Sequence, residues 1–151
     1  MELVPLAPGD RDAFVGMVRA YVSEIGPDLP PVTAERMARA SDDPAREALL
    51  IRDGGGTRGF VLIRRLPDGA HEMSEFYVVP GARRSGLGTQ AARAALTRHP
   101  GRWQLGVAGG NVHARAFWTG VITPLARAHR GPPLTPNQSG SLHFIIKEPS
   151  P

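Results

Sequence analysis

EFYVVPGARRSGLGTQAARAAL, residues 75–96, joins a β-branched and aromatic run to a basic glycine turn and then to an alanine-rich segment. Residues 75–79 favour extended chain, and Pro80 ends the run. Leu87, Ala91, Ala94 and Ala95 recur at helical spacing, so the stretch reads as strand, turn and helix. A helix start leaves several N–H groups unpaired and carries the positive end of the helix dipole, which favours an anion. Arg83 and Arg84 add charge beside it, Gly86 and Gly88 remove side chains that would block the approach, and Ser85, Leu87 and Thr89 complete the turn.

Three readings of that turn compete. The simplest is a surface turn with solvated arginines. A P-loop fails because no Gly-Lys-Ser/Thr follows. Gly86, Gly88 and Ala91 spell the dinucleotide pattern GxGxxA, but that motif needs an acidic residue about 20 positions on to bind a ribose. There is no Asp or Glu from Phe76 to Lys147.

The turn resembles that of the GNAT family of acyl-CoA N-acyltransferases, which has Gln or Arg, then Gly three residues on and Gly or Ala two further. Here these are Arg83, Gly86 and Gly88. A second family element, an Asn opening a short helix with Ala three residues later, is matched by Asn111 and Ala114, while Trp118 stands where Tyr is usual. The resemblance spans roughly residues 71–122. It implies an α/β fold with a mixed, mostly antiparallel sheet, helices on both faces and two central parallel strands that splay apart. Acetyl-CoA would be the co-substrate, its pantetheine arm lying in the gap and pairing with the backbone of the strand that ends in Val78 and Val79. The N–H groups of residues 83–89 would take the pyrophosphate, and Asn111 would lie near the cofactor arm. The partner strand would be Trp103 to Val107.

With 151 residues and a 41% hydrophobic share, the chain reads as one globular domain over residues 1–151. No apolar run approaches a membrane span and the first residues do not read as a leader, so a soluble cytoplasmic protein is expected. The absence of cysteine excludes disulfides and a cysteine acyl-enzyme, so transfer would run directly between two bound substrates. Residues 1–75 hold 13 acids and 9 arginines, net −4; residues 76–151 hold 9 bases and Glu148, net +8; together these give the +4 of the chain. A basic pole suits a polyanionic cofactor and an acidic one a cationic amine, although such charges are commonly just solvated. The aromatic interleaving of a nucleic-acid platform is missing.

Along the chain, Glu2–Leu6 reads as a strand. Asp10 then caps a helix whose apolar face is Phe14, Met17, Val18, Tyr21, Val22 and Ile25. Gly26-Pro27 stops it, and Thr33 opens a second short helix to about Arg39. In the family this region helps form the acceptor site, so Glu24 and Asp28 are candidates to meet an ammonium group, with solvated loop acids as the plain reading. Residues 47–52, 59–66 and 71–79 read as three strands joined by hairpin turns, hence antiparallel. Trp103–Val107 is a strand parallel to 71–79, Asn111 opens a helix closed at Thr123-Pro124, residues 131–140 read as loop, and Leu142–Lys147 is the final strand.

The implied reaction needs a neutral amine, and an alkylamine of pKa about 10.4 is almost wholly protonated at neutral pH. Glu75 is the candidate base, on the strand that meets the cofactor; a structural carboxylate is the plain alternative. Period two puts Tyr77 and Val79 on its face and Glu72 on the other. Trp118 cannot protonate a leaving thiolate. That leaves Tyr21, Tyr77 or water for the task, although a thiol of pKa about 8.5 departs tolerably unaided. The five histidines show no metal-ligand spacing, so no metal is expected. The sequence therefore predicts an N-acetyltransferase acting on a small cationic amine or a protein amino group. A non-catalytic acyl-CoA-binding module is the alternative, and a homodimer is compatible with either.

Overall fold

The computed structural model describes residues 1–26, 28–30, 32–108 and 112–150. In chain order the elements are β1 (Glu2–Pro5), α1 (Arg11–Ile25), α2 (Val32–Ala40), β2 (Arg46–Asp53), β3 (Gly56–Arg65), β4 (His71–Val78), α3 (Leu87–Thr97), β5 (Gly101–Ala108), α4 (Val112–Ile122), β6 (His129–Gly131) and β7 (Gln138–Ile146). The strands form one sheet in the order β1-β2-β3-β4-β5-β7-β6, antiparallel except for β4 and β5. Among the described residues no helix is long and apolar enough to cross a membrane.

Helical periodicity decides what each face buries. Phe14, Val18 and Val22 of α1 and Ala34 and Ala38 of α2 pack on Leu50, Phe60, Leu62 and Tyr77. Ile25, expected on the same stripe, sits in the last turn and is 52% exposed. On the opposite face, Leu87, Ala91, Ala95 and Leu96 of α3 and Trp118, Val121 and Ile122 of α4 pack against the remaining inward side chains of β2–β5 and β7. The α1–α2 cluster ends at β4, and the β5-β7-β6 half of that face lies outside it.

Two local features shape the centre. Pairing between β3 and β4 runs from Leu62↔Glu75 to Ile63↔Met73, so Ser74 is an extra residue, a β-bulge. The parallel pairing of β4 with β5 consists of His71↔Trp103 and Glu72↔Gln104 and goes no further. At that joint Trp103 is buried and its indole N–H donates to the His99 carbonyl at 2.7 Å. Beyond the joint β4 and β5 part, as the family resemblance implies.

The C-terminal part differs from expectation. β7 begins at Gln138 rather than Leu142, and β6 borders the stretch expected to lack regular structure. Gln138-Ser139-Gly140-Ser141 has little intrinsic strand preference. It is recruited by its neighbours, pairing Ala108, Val107 and Gly106 on one side and Gly131 on the other.

Candidate active site

The turn before α3 has the backbone that its glycines allow. Gly86, the cap residue, has φ +84°, and Arg84 has φ +62°, a left-handed conformation uncommon outside glycine. Among the described residues, no backbone N–H from Arg84 to Thr89 donates to a protein acceptor, while Gln90 N–H already closes on the Gly86 carbonyl. The result is a cradle of free donors at the positive end of an 11-residue helix. A side chain on Gly88 would touch Phe117 at 3.5 Å and Val78 at 3.7 Å, so the cradle sits against the end of β4 and the face of α4. These features fit a pyrophosphate.

Arg83 and Arg84 divide their work. The Arg83 guanidinium is exposed but tied to its neighbours: Nε donates to the Val78 carbonyl at 2.8 Å, Nη2 meets Glu24 Oε2 at 2.7 Å, and the group lies 5.6 Å from the centre of the Tyr77 ring. Arg84 and Ser85 are exposed, and the Ser85 hydroxyl donates to the Ala82 carbonyl at 2.9 Å. Glu24 is thus the partner of Arg83, tying α1 to the turn. Asp28 is exposed in the loop after α1, and Asn111 lies outside the described residues.

The gap between β4 and β5 supplies a backbone edge. Val79 N–H donates to the Arg58 carbonyl on the β3 side at 2.8 Å, so by strand alternation Val78 and Phe76 direct their amide groups toward the gap. The Val78 carbonyl is used by Arg83, which leaves Val78 N–H and both backbone groups of Phe76 for an extended ligand. Phe76, Phe117 and Trp118 form a wall on the α4 side, with ring centres 5.1–5.7 Å apart. Trp118 is 9% exposed and belongs to that core, so its replacement of the family Tyr is a packing feature here.

Glu75 projects from β4 on the α1 side, where the Tyr21 hydroxyl donates to its Oε2. Burial pushes the Glu75 carboxyl up to about 7, opposed by the Tyr21 hydrogen bond and the charge of Arg46 and assisted by the charge of Glu72. Burial also raises the Tyr21 hydroxyl, and the neighbouring Glu75 charge adds to it. The Tyr21 ring is fixed edge-on against Phe60 (5.6 Å, 85°) and Tyr77 (5.7 Å, 65°). Tyr77 shares the Glu75 face as expected, but at 4% exposure its ring is packed in the core. Burial, and then the charge of Glu24, raise its hydroxyl, with Arg83 opposing.

Glu72 corrects a sequence expectation. The Ser74 bulge breaks the period of two, so Met73 joins Phe76 and Val78 on the α3–α4 side and Glu72 joins Glu75 on the other. There Glu72 Oε2 accepts from the Gln104 amide at 2.8 Å. The Tyr21–Glu75 bond spans 54 residues, and only the tertiary fold could pair them. The signal available in the sequence was Tyr21 on the inward stripe of α1.

Comparison with known proteins agrees with this fold. The model of the acetyltransferase (GNAT) family matches residues 10–120. No curated protein sequence matches the chain. Among solved structures, an acetyltransferase from Thermus thermophilus is similar at 22% identity and TM-score 0.71, covering 96% of both chains. A spermidine N-acetyltransferase from Vibrio cholerae, in complex with CoA and spermine, is similar at 13% identity and TM-score 0.72, covering 97% of this chain and 95% of that one. The PaiA N-acetyltransferase of Thermoplasma acidophilum, in complex with coenzyme A, is similar at 10% identity and TM-score 0.66, covering 96% and 98%.

Proposed function

The chain belongs to the GNAT acetyltransferase family, and we propose that it moves an acetyl group from acetyl-CoA to a primary amine by direct attack in a ternary complex. The observation that carries this reading is Glu75, a carboxyl raised to about 7 beside the gap where β4 leaves β5. The free donors of residues 84–89 and the backbone edge of Phe76 and Val78 support acetyl-CoA as the co-substrate. So do the similar structures that hold coenzyme A.

Acetyl-CoA supplies an activated thioester, and the protein's task is to orient it and to deprotonate the amine. Tyr21 engages Glu75 Oε2, which leaves Oε1 to take a proton from the incoming ammonium. A base of pKa about 7 is partly ionised at neutral pH and is a far better proton acceptor than a free carboxylate of about 4.3. Tyr77 holds the Tyr21 ring and so sets the base from behind. Release of free CoA thiol from acetyl-CoA only when an amine is added is the decisive test. Acetyl-CoA binding without such release would favour the non-catalytic binding module.

Tyr21→Phe tests the support of the base. The hydrogen bond lowers the Glu75 pKa, so its loss is expected to move the acid limb of the kcat/KM profile to higher pH. Activity at neutral pH should fall about 10-fold, the scale of one hydrogen bond to a charged group. A profile that keeps its limb would remove Tyr21 from the machinery.

A further inference from the structure

A cleft of about 570 Å³ runs along β5 and β7 outside the α1–α2 cluster, and its lining also includes Trp103, Phe144, Leu125 and Ala126 from the α3–α4 core. Register places Glu72, Gln104, His143 and His129 in one row across β4, β5, β7 and β6. Gln104, His143 and His129 all line the cleft, while the Gln104 amide donates to Glu72 at 2.8 Å. The cleft therefore begins at the residue that touches the neighbour of Glu75. From there it runs toward Arg102, Ile145 and Lys147, with Arg127 reaching it from the segment after α4.

Its charge is one-sided. Among the described residues Asp68 is the only carboxylate that lines it, and Arg102 occupies that group at 3.2 Å. Arg127 and Lys147 are exposed and pair with no acid among the described residues. Of the 13 acids of residues 1–75, Asp68 lines the cleft and Glu72 borders it through Gln104. An apolar stretch accompanies the charge: Leu125 and Ala126 line the cleft, and Ile145 is 61% exposed. A second copy of the chain docking here about a two-fold axis would bring the same basic surface of both copies together, which disfavours that occupant.

We infer that this cleft holds an anionic group of the acceptor, so that the preferred substrate is a primary amine joined by an apolar spacer to a carboxylate or phosphate. The inference rests on the acetyltransferase reading of Glu75. At a strand rise of about 3.3 Å per residue, the register from Glu75 through Glu72↔Gln104 to the Gly101↔Ile146 end separates Glu75 from the basic end of the cleft by roughly 20 Å, which calls for a long extended spacer.

The test is a series of ω-amino carboxylates of increasing length, matched ω-aminoalkyl phosphates, unsubstituted alkylamines and diamines, assayed by thiol release with the wild type and with Arg127→Gln/Lys147→Gln. Both replaced side chains are exposed and without an acidic partner among the described residues, so folding is not at risk. For the longer anionic amines kcat/KM is expected to exceed that of alkylamines of equal length by about 10-fold, the scale of one favourable charge contact. The double variant should erase that advantage and leave alkylamine turnover unchanged. The ratio of carboxylate to phosphate substrates tells which anion is read. Equal rates across the series, a preference for diamines, or an advantage that survives in the double variant would overturn the inference. Thermal midpoints in the presence of CoA provide a readout that needs no turnover. A shift with the long amino carboxylate that the double variant loses supports the cleft even if no amine is acetylated, in which case the transferase reading alone falls. No shift and no turnover would end both.

Discussion

Glu75→Gln is expected to lower kcat by about 10²–10⁴-fold, the usual contribution of a positioned general base. Affinity for acetyl-CoA should stay within about twofold, because the free donors of residues 84–89 and the edge of Phe76 and Val78 are untouched by the change. The substitution keeps an oxygen for Tyr21, so the aromatic packing of Phe60, Tyr21 and Tyr77 is preserved and a loss of rate is not a loss of fold. Wild-type kcat/KM should rise with pH through about 7 as the Glu75 carboxyl ionises. Unaltered turnover in the variant, or a profile flat across that range, would remove Glu75 as the base.

The same carboxyl predicts a pH dependence of stability with an unusual sign. Its pKa is raised from 4.5 to about 7 on folding, so the folded state binds more protons than the unfolded chain between those values. The contribution is fully present below the unfolded value and is lost as pH rises through the folded one. Glu75→Gln cannot ionise and is therefore expected to melt higher than the wild type at pH 8, with the difference shrinking toward pH 4. Gain of stability with loss of activity is the mark of a group kept in an unfavourable state for function. A variant that melts lower at pH 8 would mean that the ionised carboxylate is well solvated.

What could be read from the sequence follows from the range of each signal. The turn at Arg83–Gly88 was legible because the left-handed backbone at Gly86 and the open helix start are written in adjacent residues. Glu75 was legible as a strand residue beside the gap, because alternation and the family pattern are both local. A period of two puts Glu72 on the wrong face because it assumes an unbroken ladder, and no residue type announces the bulge at Ser74. β6 is the tripeptide His129-Arg130-Gly131, which is strand only because β7 offers it an edge. The charge asymmetry was legible as a total, but its use was not. Glu24 sits 59 positions from Arg83, and their ion pair exists only once α1 lies over the turn. The same distance in sequence hid the basic cleft, whose lining comes from the β4 hairpin, β5, the segment after α4 and the two last strands.

Gly59→Ala is expected to cause the largest stability loss of any single methyl addition beside the site. A β-carbon at Gly59 would stand 1.9 Å from the Tyr77 carbonyl oxygen, 2.9 Å from its carbon and 3.0 Å from Val78 Cα. All three are backbone atoms, so no rotamer change relieves the clash, and β3 must move away from β4 at the level of Gly59↔Val78. Overpacking of this kind costs about 3 kcal/mol, which for a domain of this size lowers the midpoint by roughly 6–12 °C. The displaced segment carries Tyr77, which braces Tyr21, and Val78, whose carbonyl holds Arg83, so kcat and acetyl-CoA affinity should fall together in the fraction that folds. Gly54→Ala, in the turn that leads into the same strand, is the control: nothing lies within 4 Å of the added carbon, and its effect should stay within about 0.5 kcal/mol. Equal midpoints for the two variants would show that β3 can yield at Gly59 without cost, and that the close approach of these strands does not set the position of the base.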